Sequence, residues 1–339
     1  MTKHNLISVD LAKNVFQLCA MTEHQRITFN KSLKRQDLAE FMLKQEPTNI
    51  VMEACYSSHY WARRFISMGH TVKILPAQHV SPFVRGNKSD RNDAVAIAEA
   101  ARRPNILPVP VKSAEQQDIQ CLHRMRERYI SHRTGLINQT RGLMSEYGIV
   151  APKGHKAFCL LLRDLSLPEN EDLSPVLKAQ LNQVADEYYD QTNRIEDITR
   201  QISDIANQHP LCRLLRSIPG IGVINATAIY SAIGNGSQFN NAREFAVWLG
   251  LTPKQSSSGE SFKSAGITKR GNRYLRKQLV HGARSALSRS KNKTDHLSRW
   301  GNQLVARRGI QKASVAMAAR MARLAWILLQ RNEAYKPQL

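Results

Sequence analysis

No stretch of this sequence approaches the ~18 to 20 consecutive apolar residues of a membrane-spanning helix, and its start has no signal-peptide pattern. Both absences argue against a membrane protein and lead us to expect a cytoplasmic one. Cysteine is scarce and scattered: Cys19, Cys55, Cys121, Cys159 and Cys212 are odd in number and never form a C-x-x-C. The pattern argues against both a disulfide framework and a structural zinc site. No P-loop is present, so no nucleotide-driven step is expected. The most telling deficit is acid: 27 Asp+Glu stand against 49 Lys+Arg, a formal charge of +22 over 339 residues. Such a surplus points to a polyanionic partner, for which nucleic acid is the usual choice. From Ser261 to Leu339 there are 18 Lys/Arg but only Asp295 and Glu333, which makes the C-terminal part the main electrostatic footprint.

Because acids are few, those in costly places stand out. Asn5 to Met21 (NLISVDLAKNVFQLCAM) is an apolar, β-branched run that predicts a central strand and its continuation, and Asp10 sits inside it. A carboxylate in a buried strand normally pairs with a cation or coordinates a metal. Arg26 to Asn30 predicts a neighbouring strand and Gln36 to Leu43 a short helix. Asn49 to Glu53 predicts a second apolar strand that ends on an acid, followed by a helix carrying Tyr60, Phe65 and Met68. Thr71 to Leu75 is another strand, stopped by Pro76. Lys88 to Ala94 (KSDRNDA) then opens a helical run with Asp90 and Asp93 three apart, on one face. Taken alone, that pair also reads as a capping box with Asp90 as N-cap. Read together, acids at neighbouring strand ends and on a facing helix can converge on one point, and that convergence is the expectation. Two divalent ions ~4 Å apart between such acids are a known solution for phosphodiester chemistry, and Mg²⁺ suits an all-oxygen set.

Pro104 to Pro110 (PNILPVP) reads as a linker. Ala114 to Tyr147 is nearly uninterrupted helix former. A cleaner heptad stripe runs from Leu177 through Leu181, Val184, Tyr188, Gln191, Ile195, Ile198 and Ile202 to Ile205. The two predict either an intermolecular coiled coil or an intrachain helical hairpin. Ser217 to Gly222 (SIPGIG) followed by VINATAIYSAIG predicts a helix-hairpin-helix, with Gly220 and Gly222 letting backbone N–H groups approach a phosphate. Its plain alternative is a glycine-capped helical turn. Lys254 to Ser261 (KQSSSGES) predicts an exposed polar loop. Lys269, Arg270, Arg273 and Arg276 follow it in a basic helix start, where a serine hydroxyl attacking a phosphate would have its developing charge stabilised. Those cations and Arg91 are candidate phosphate contacts, although a solvated basic face looks the same.

ISVDLAK, IVMEA, RGNKSDRNDA, SIPGIG and GLTPKQSSSG occur in the order and approximate spacing of a known family. Through them the chain resembles the bridge-RNA-guided insertion-sequence transposases of family one-ten, with the eleven-eleven subgroup, which include the Piv-like DNA invertases. The resemblance implies an α/β plus mostly-α architecture in three parts. Residues 1–110 would form a RuvC-like, ribonuclease H-like domain whose D-E-D-D set corresponds to Asp10, Glu53, Asp90 and Asp93, binding Mg²⁺. Residues 111–208 would form a coiled-coil helical arm, and 209–339 a C-terminal α-helical transposase domain with the helix-hairpin-helix. The family's nucleophilic serine precedes a glycine five residues after the G-L-T-P proline, which is Ser258 here, with Ser257 and then Ser256 as competitors. The resemblance further implies homo-oligomers, dimers assembling to tetramers, in which one protomer's carboxylates meet another's serine. A structured non-coding RNA would pair with target and donor DNA.

The chemistry expected is attack by Ser258 on a DNA phosphodiester, a covalent phosphoserine link and strand exchange without net hydrolysis. A junction nuclease would use the same carboxylates with water and leave the serines idle. A non-catalytic nucleic-acid-binding protein explains the charge and the PGIG turn but not the acids. A coiled-coil scaffold explains only the middle third.

Overall fold

The computed structural model describes residues 4–87, 89–151, 153–165, 173–258 and 261–337, with side chains described at all of these except 256–258 and 261–264. Two compact units are present. The first runs to Gln116 and includes Gly236–Asn240, and the second is Gln117–Asn235 with Asn241 onward.

In the first unit, β1 (Leu6–Asp10), β2 (Val15–Met21), β3 (Ile27–Lys34), β4 (Asn49–Glu53) and β5 (Thr71–Leu75) form one mixed sheet in the order β3-β2-β1-β4-β5. The expected single strand and continuation from Asn5 are two strands, because exposed Lys13 and Asn14 turn the chain back. β1, β2 and β3 pair antiparallel through short turns, whereas β4 and β5 arrive after helices and pair parallel with β1 and with each other. α1 (Arg35–Leu43) and α2 (Ser58–Ser67) cover one face. There Leu38, Met42, Trp61 and Phe65 pack on Ile7, Val9, Phe16, Leu18, Ile50 and Met52.

Short α3 (Ala77–Val80) leads to α4 (Asp90–Ala100), which lies on the opposite face. Ala96, Ile97 and Ala100 pack with Val51 and Leu75, and Ala94 and Ala98 with Cys19 and Met21. Alanines bring this helix close to the sheet. So does Ser8, fully buried at the centre of β1, whose hydroxyl lies 2.5 Å from the Ala94 carbonyl and 3.2 Å from that of Cys19. The expected linker Pro104 to Pro110 is partly fixed to the sheet. Val109 N–H donates to Ile74 O at 2.7 Å, and the flanking prolines, lacking N–H groups, limit the pairing to one bridge.

The second unit is mostly helical: α5 (Ala114–Ser145), α6 (His155–Leu165), α7 (Pro175–Gln208), α8 (Pro210–Leu215), α9 (Val223–Ile233), α10 (Ala242–Trp248), α11 (Arg273–Ser288) and α12 (His296–Arg331). A two-stranded sheet, β6 (Pro253–Ser258) with β7 (Ser261–Ile267), is inserted before α11. The heptad stripe of α7 is partly covered from within the chain, since Leu181 and Tyr188 share a core with Met144 of α5 and Phe158 and Leu162 of α6. Further along, Arg126 Nε donates to Thr199 Oγ1 at 2.8 Å and Arg133 to Thr192 Oγ1 at 3.1 Å, tying α5 to α7.

α9 is apolar on nearly every side because it is buried on nearly every side, from Asn225 to Ile229 and at Ser231 and Ile233. The turn that feeds it is tight. Gly220 has φ +88°, and a Cβ there would stand 2.6 Å from Gly282 O, while a Cβ on Gly282 would collide with Gly220 O. Asn225 Nδ2 donates to the same Gly220 carbonyl at 3.1 Å. The glycine pair thus serves backbone-to-backbone contact between this turn and α11, and it predicts opposite signs for two substitutions. Gly282→Ala is expected to cost about 1–3 kcal/mol in a denaturant melt through overpacking. Gly135→Ala, on an exposed part of α5 with open space around it, should raise stability by about 0.5–1 kcal/mol.

Candidate active site

Strand alternation sets the direction of the first two acids. Ile7 and Val9 on β1, like Ile50 and Met52 on β4, face α1 and α2, so Ser8 and Asp10, and likewise Val51 and Glu53, face α4. Parallel register places Val9 beside Met52, which leaves Asp10 and Glu53 at the same end of neighbouring strands.

The other two acids come from the first turn of α4. The helix begins differently from the capping-box reading, because the N-cap is Ser89, whose Oγ accepts Asn92 N–H at 3.3 Å and whose carbonyl accepts Asn92 and Asp93 N–H at 2.9 Å. Neither Asp90 nor Asp93 is used as a cap. Both continue the stripe of Ile97 and Ala100 that packs on the sheet, and so project past the strand ends where Asp10 lies. One carboxylate oxygen from each of Asp10, Asp90 and Asp93 lies within 4.8 Å of the others.

Glu53 stands outside that cluster, yet its charge is felt. Burial, followed by the charges of Asp93, Asp90 and Glu53, pushes the Asp10 carboxyl up to about 6. Burial and then Asp93 also raise Glu53. Among the described residues no ion pair involves any of the four acids. A crowded all-oxygen set, partly buried at Asp10, Glu53 and Asp93 and exposed at Asp90, that no described side chain neutralises fits a hard divalent cation, and it offers no soft ligand.

Two supports for this geometry were not singled out in the sequence. Ser8, bonded to the Ala94 carbonyl, holds the second turn of α4 against β1. Gln17, opposite Asp10 across the β1–β2 pair and 7% exposed, donates to Asn30 Oδ1 at 2.6 Å, and Asn30 Nδ2 donates to Arg91 O at 3.1 Å. Polar residues at interior strand positions were the available signal. Arg91 itself is exposed and contributes its carbonyl to this network.

In the second unit, the expected serine loop is a hairpin: β6 and β7 pair antiparallel with Ser258 opposite Ser261. The side chains of Ser256, Ser257 and Ser258 lie outside the described set. The base of the hairpin is clamped. Gly250 (φ +67°) and Gly271 (φ +74°) sit where a Cβ would strike the backbone of Arg270 and Trp248 respectively, and Lys269 takes φ +58° while its N–H donates to Gly250 O at 3.1 Å. Lys269, Arg270 and Arg273 are exposed, and Gly222, the N-cap of α9, is exposed with open space around it. Arg276 differs from its neighbours. Its Nη1 donates to Leu249 O at 2.8 Å and Arg270 O at 2.7 Å, and burial, with Arg273 nearby, lowers its pKa. Structurally it is the tie across the hairpin's base.

Two outcomes follow. Asp10 titrates at about 6 in place of 3.8, so its contribution to the stability of the metal-free fold is complete below pH 4 and lost as pH rises through 6. Asp10→Asn should therefore raise the melting temperature in EDTA at pH 7.5, by about 2–4 °C, and give no gain at pH 4. Arg276→Ala should cost about 1.5–3 kcal/mol in a thermal melt, against less than about 0.5 kcal/mol for exposed Arg273→Ala.

Comparison with known proteins gives these sites their context. Residues 7–149 match the transposase model named DEDD_Tnp_IS110, and residues 212–298 match the model described as "Transposase IS116/IS110/IS902 family". The chain is 41% identical to a Pseudomonas aeruginosa protein named "Probable family 20 transposase", over 98% of each chain. It is 40% identical to the "Transposase for insertion sequence element IS1111A" of Coxiella burnetii, over 98% of this chain and 91% of the relative. The "Pilin gene-inverting protein" of Moraxella lacunata is 25% identical over 80% of each. The first match spans the three clustered carboxylates and Glu53, and the second spans the PGIG turn and the serine hairpin. With similarity over nearly its whole length, the chain belongs to the IS110/IS116/IS902 family of insertion-sequence transposases, enzymes that recombine DNA.

Proposed function

We propose that this transposase cuts and rejoins DNA through two sets of residues, a Mg²⁺-binding carboxylate set and a serine nucleophile. The observation that carries the reading is the convergence of Asp10, Asp90 and Asp93 within 4.8 Å, with the Asp10 carboxyl forced up to about 6. Asp10, Glu53, Asp90 and Asp93 would hold Mg²⁺. Bound there, the ion supplies Lewis-acid polarisation of a phosphate oxygen. A sheet that is antiparallel on one side of β1 and parallel on the other, with acids at the ends of β1 and β4, supports the RuvC-like, ribonuclease H-like reading of this unit.

Ser258 is the nucleophile in this reading. Its Oγ forms a bond to phosphorus as a bridging P–O bond of the strand breaks. The serine gives up its proton and the leaving oxygen takes one. Attack on the phosphoserine by a hydroxyl of another strand reverses the exchange, so the phosphodiester energy is conserved and no nucleotide cofactor is needed. Exposed Lys269, Arg270 and Arg273 carry positive charge just beyond the hairpin and suit phosphate contacts, as does the open N-terminus of α9 at Gly222, the element read as a helix-hairpin-helix.

Sequence choice is delegated to a structured guide RNA pairing with target and donor DNA, so no side chain needs to encode it. The carboxylates of one protomer serve the serine of another in a dimer-to-tetramer assembly. The test is a denaturing-gel assay for a protein–DNA adduct, using protein co-expressed with its native flanking non-coding region. An adduct is expected in wild type with Mg²⁺ and absent with EDTA or in Ser258→Ala, and at least about 10²-fold weaker in Asp90→Asn. Cut DNA without adduct would make this a water-using nuclease, and an adduct persisting in Ser258→Ala would move the role to Ser257 or Ser256.

A further inference from the structure

A cavity of about 630 Å³ in the first unit lies on the α1/α2 face of the sheet and not on the carboxylate face. Its lining includes Asn14 and Val15 at the start of β2, Lys34 and Arg35 at the junction of β3 and α1, and Tyr60, Trp61 and Arg64 of α2. By topology it opens at the same end of the sheet as Asp10 and Glu53. Asp10 ends β1, Val15 begins β2 and pairs with Lys34, and only the turn at 11–14 separates the cavity from Asp10.

The walls combine cations with aromatic surface. Tyr60 is 45% exposed and stands edge-on to Trp61, centroids 5.3 Å apart. Arg64 Nη1 donates to Tyr60 Oη at 3.0 Å and its guanidinium lies 5.8 Å from the Trp61 ring, while that of Arg35 lies 5.4 Å from the same ring. Among the described residues, no acid forms an ion pair with Lys34, Arg35 or Arg64. Four residues before Tyr60, in the loop leaving Glu53, Tyr56 is 82% exposed, and Lys13 in the intervening turn is exposed as well. Exposed tyrosine rings beside cations that no described acid pairs are complementary to a ligand that offers both π faces and negative charge. An unpaired nucleotide offers both: its base stacks on the ring and its phosphates meet the cations.

We propose that this groove binds a single-stranded segment of the DNA substrate, with a base stacked on Tyr60 and its phosphates on Lys34, Arg35 and Arg64, and leads that strand over the Lys13 turn to the carboxylates. The inference deepens the proposed function by naming the form of DNA that the carboxylate unit receives. It does not depend on the serine or on metal, so its test is run in EDTA, where no cutting occurs.

The experiment is photo-crosslinking of the full chain to a single-stranded DNA carrying 5-iododeoxyuridine, which reacts with stacked aromatic side chains, followed by tryptic mass spectrometry. The tryptic peptide from Gln45 to Arg63 holds both Tyr56 and Tyr60. Crosslinks on that peptide are expected with single-stranded DNA and at least about fivefold fewer with duplex. Tyr60→Ala should lower the yield about tenfold and Tyr60→Phe should keep it, since stacking needs the ring and not the hydroxyl. Lys34→Gln, on an exposed side chain, should lower it about threefold and flatten its dependence on salt. Crosslinks elsewhere on the same molecules report that each variant still binds DNA. Absence of the 45–63 adduct, equal yield with duplex, an unchanged yield in Tyr60→Ala, or an adduct formed with RNA but not with DNA would each overturn the proposal.

Discussion

The structure of the first unit is organised around a repulsion. Asp10, Asp90 and Asp93 are brought within 4.8 Å of one another at the end of a buried strand, where burial and mutual charge raise the Asp10 carboxyl to about 6. Packing must supply the free energy that this arrangement costs, and the face opposite α1 and α2 is built to do so. Small side chains at Ala94, Ala96, Ala98 and Ala100 let α4 lie close to the sheet, and the Ser8 hydroxyl fixes its second turn at the Ala94 carbonyl. Ser89 takes the capping role, which leaves both aspartates of that turn free. A cation in the cluster would convert the repulsion into the strongest local attraction.

In the second unit the constraint is close backbone approach. Gly220 against Gly282, and Gly250 and Gly271 against the chain that enters and leaves the serine hairpin, are positions where any side chain would force elements apart. Arg276 completes the clamp by donating to two carbonyls. The basic C-terminal part therefore divides into cations that hold structure, such as Arg276, and cations that remain at the surface, such as Lys269, Arg270 and Arg273 just after the hairpin.

Much of this was legible in sequence for a physical reason: a protein poor in acid does not place carboxylates on buried strands without cause. Asp10 and Glu53 stood out by that argument, and the i, i+3 spacing of Asp90 and Asp93 fixed their common face. The strands at Asn49–Glu53 and Thr71–Leu75 and the long helix from Ala114 were readable from periodicity. What was hidden depended on tertiary contacts. The cap at Ser89 could not be told from one at Asp90, because both suit an N-cap. The hairpin in the serine segment was obscured by residues of weak strand propensity, and its pairing is imposed by the glycines at its base. Arg276 could not be separated from its neighbours, since the carbonyls it meets are set by the fold. The partner of the α7 stripe was undetermined for the same reason, as heptads specify pairing without naming the other helix.

The measurement that bears most directly on this account is Mn²⁺ binding to the full chain, followed by electron paramagnetic resonance in the absence of DNA. Wild type should take up Mn²⁺ with an affinity at least about tenfold above that of Asp10→Asn and of Asp93→Asn, each of which removes one charge from the cluster. Glu99→Gln, which neutralises an acid farther along the same helix, should leave uptake unchanged. Equal uptake by wild type and a chain carrying both Asp10→Asn and Asp93→Asn would contradict the account, because the carboxylates would then be close together for some purpose other than holding a cation.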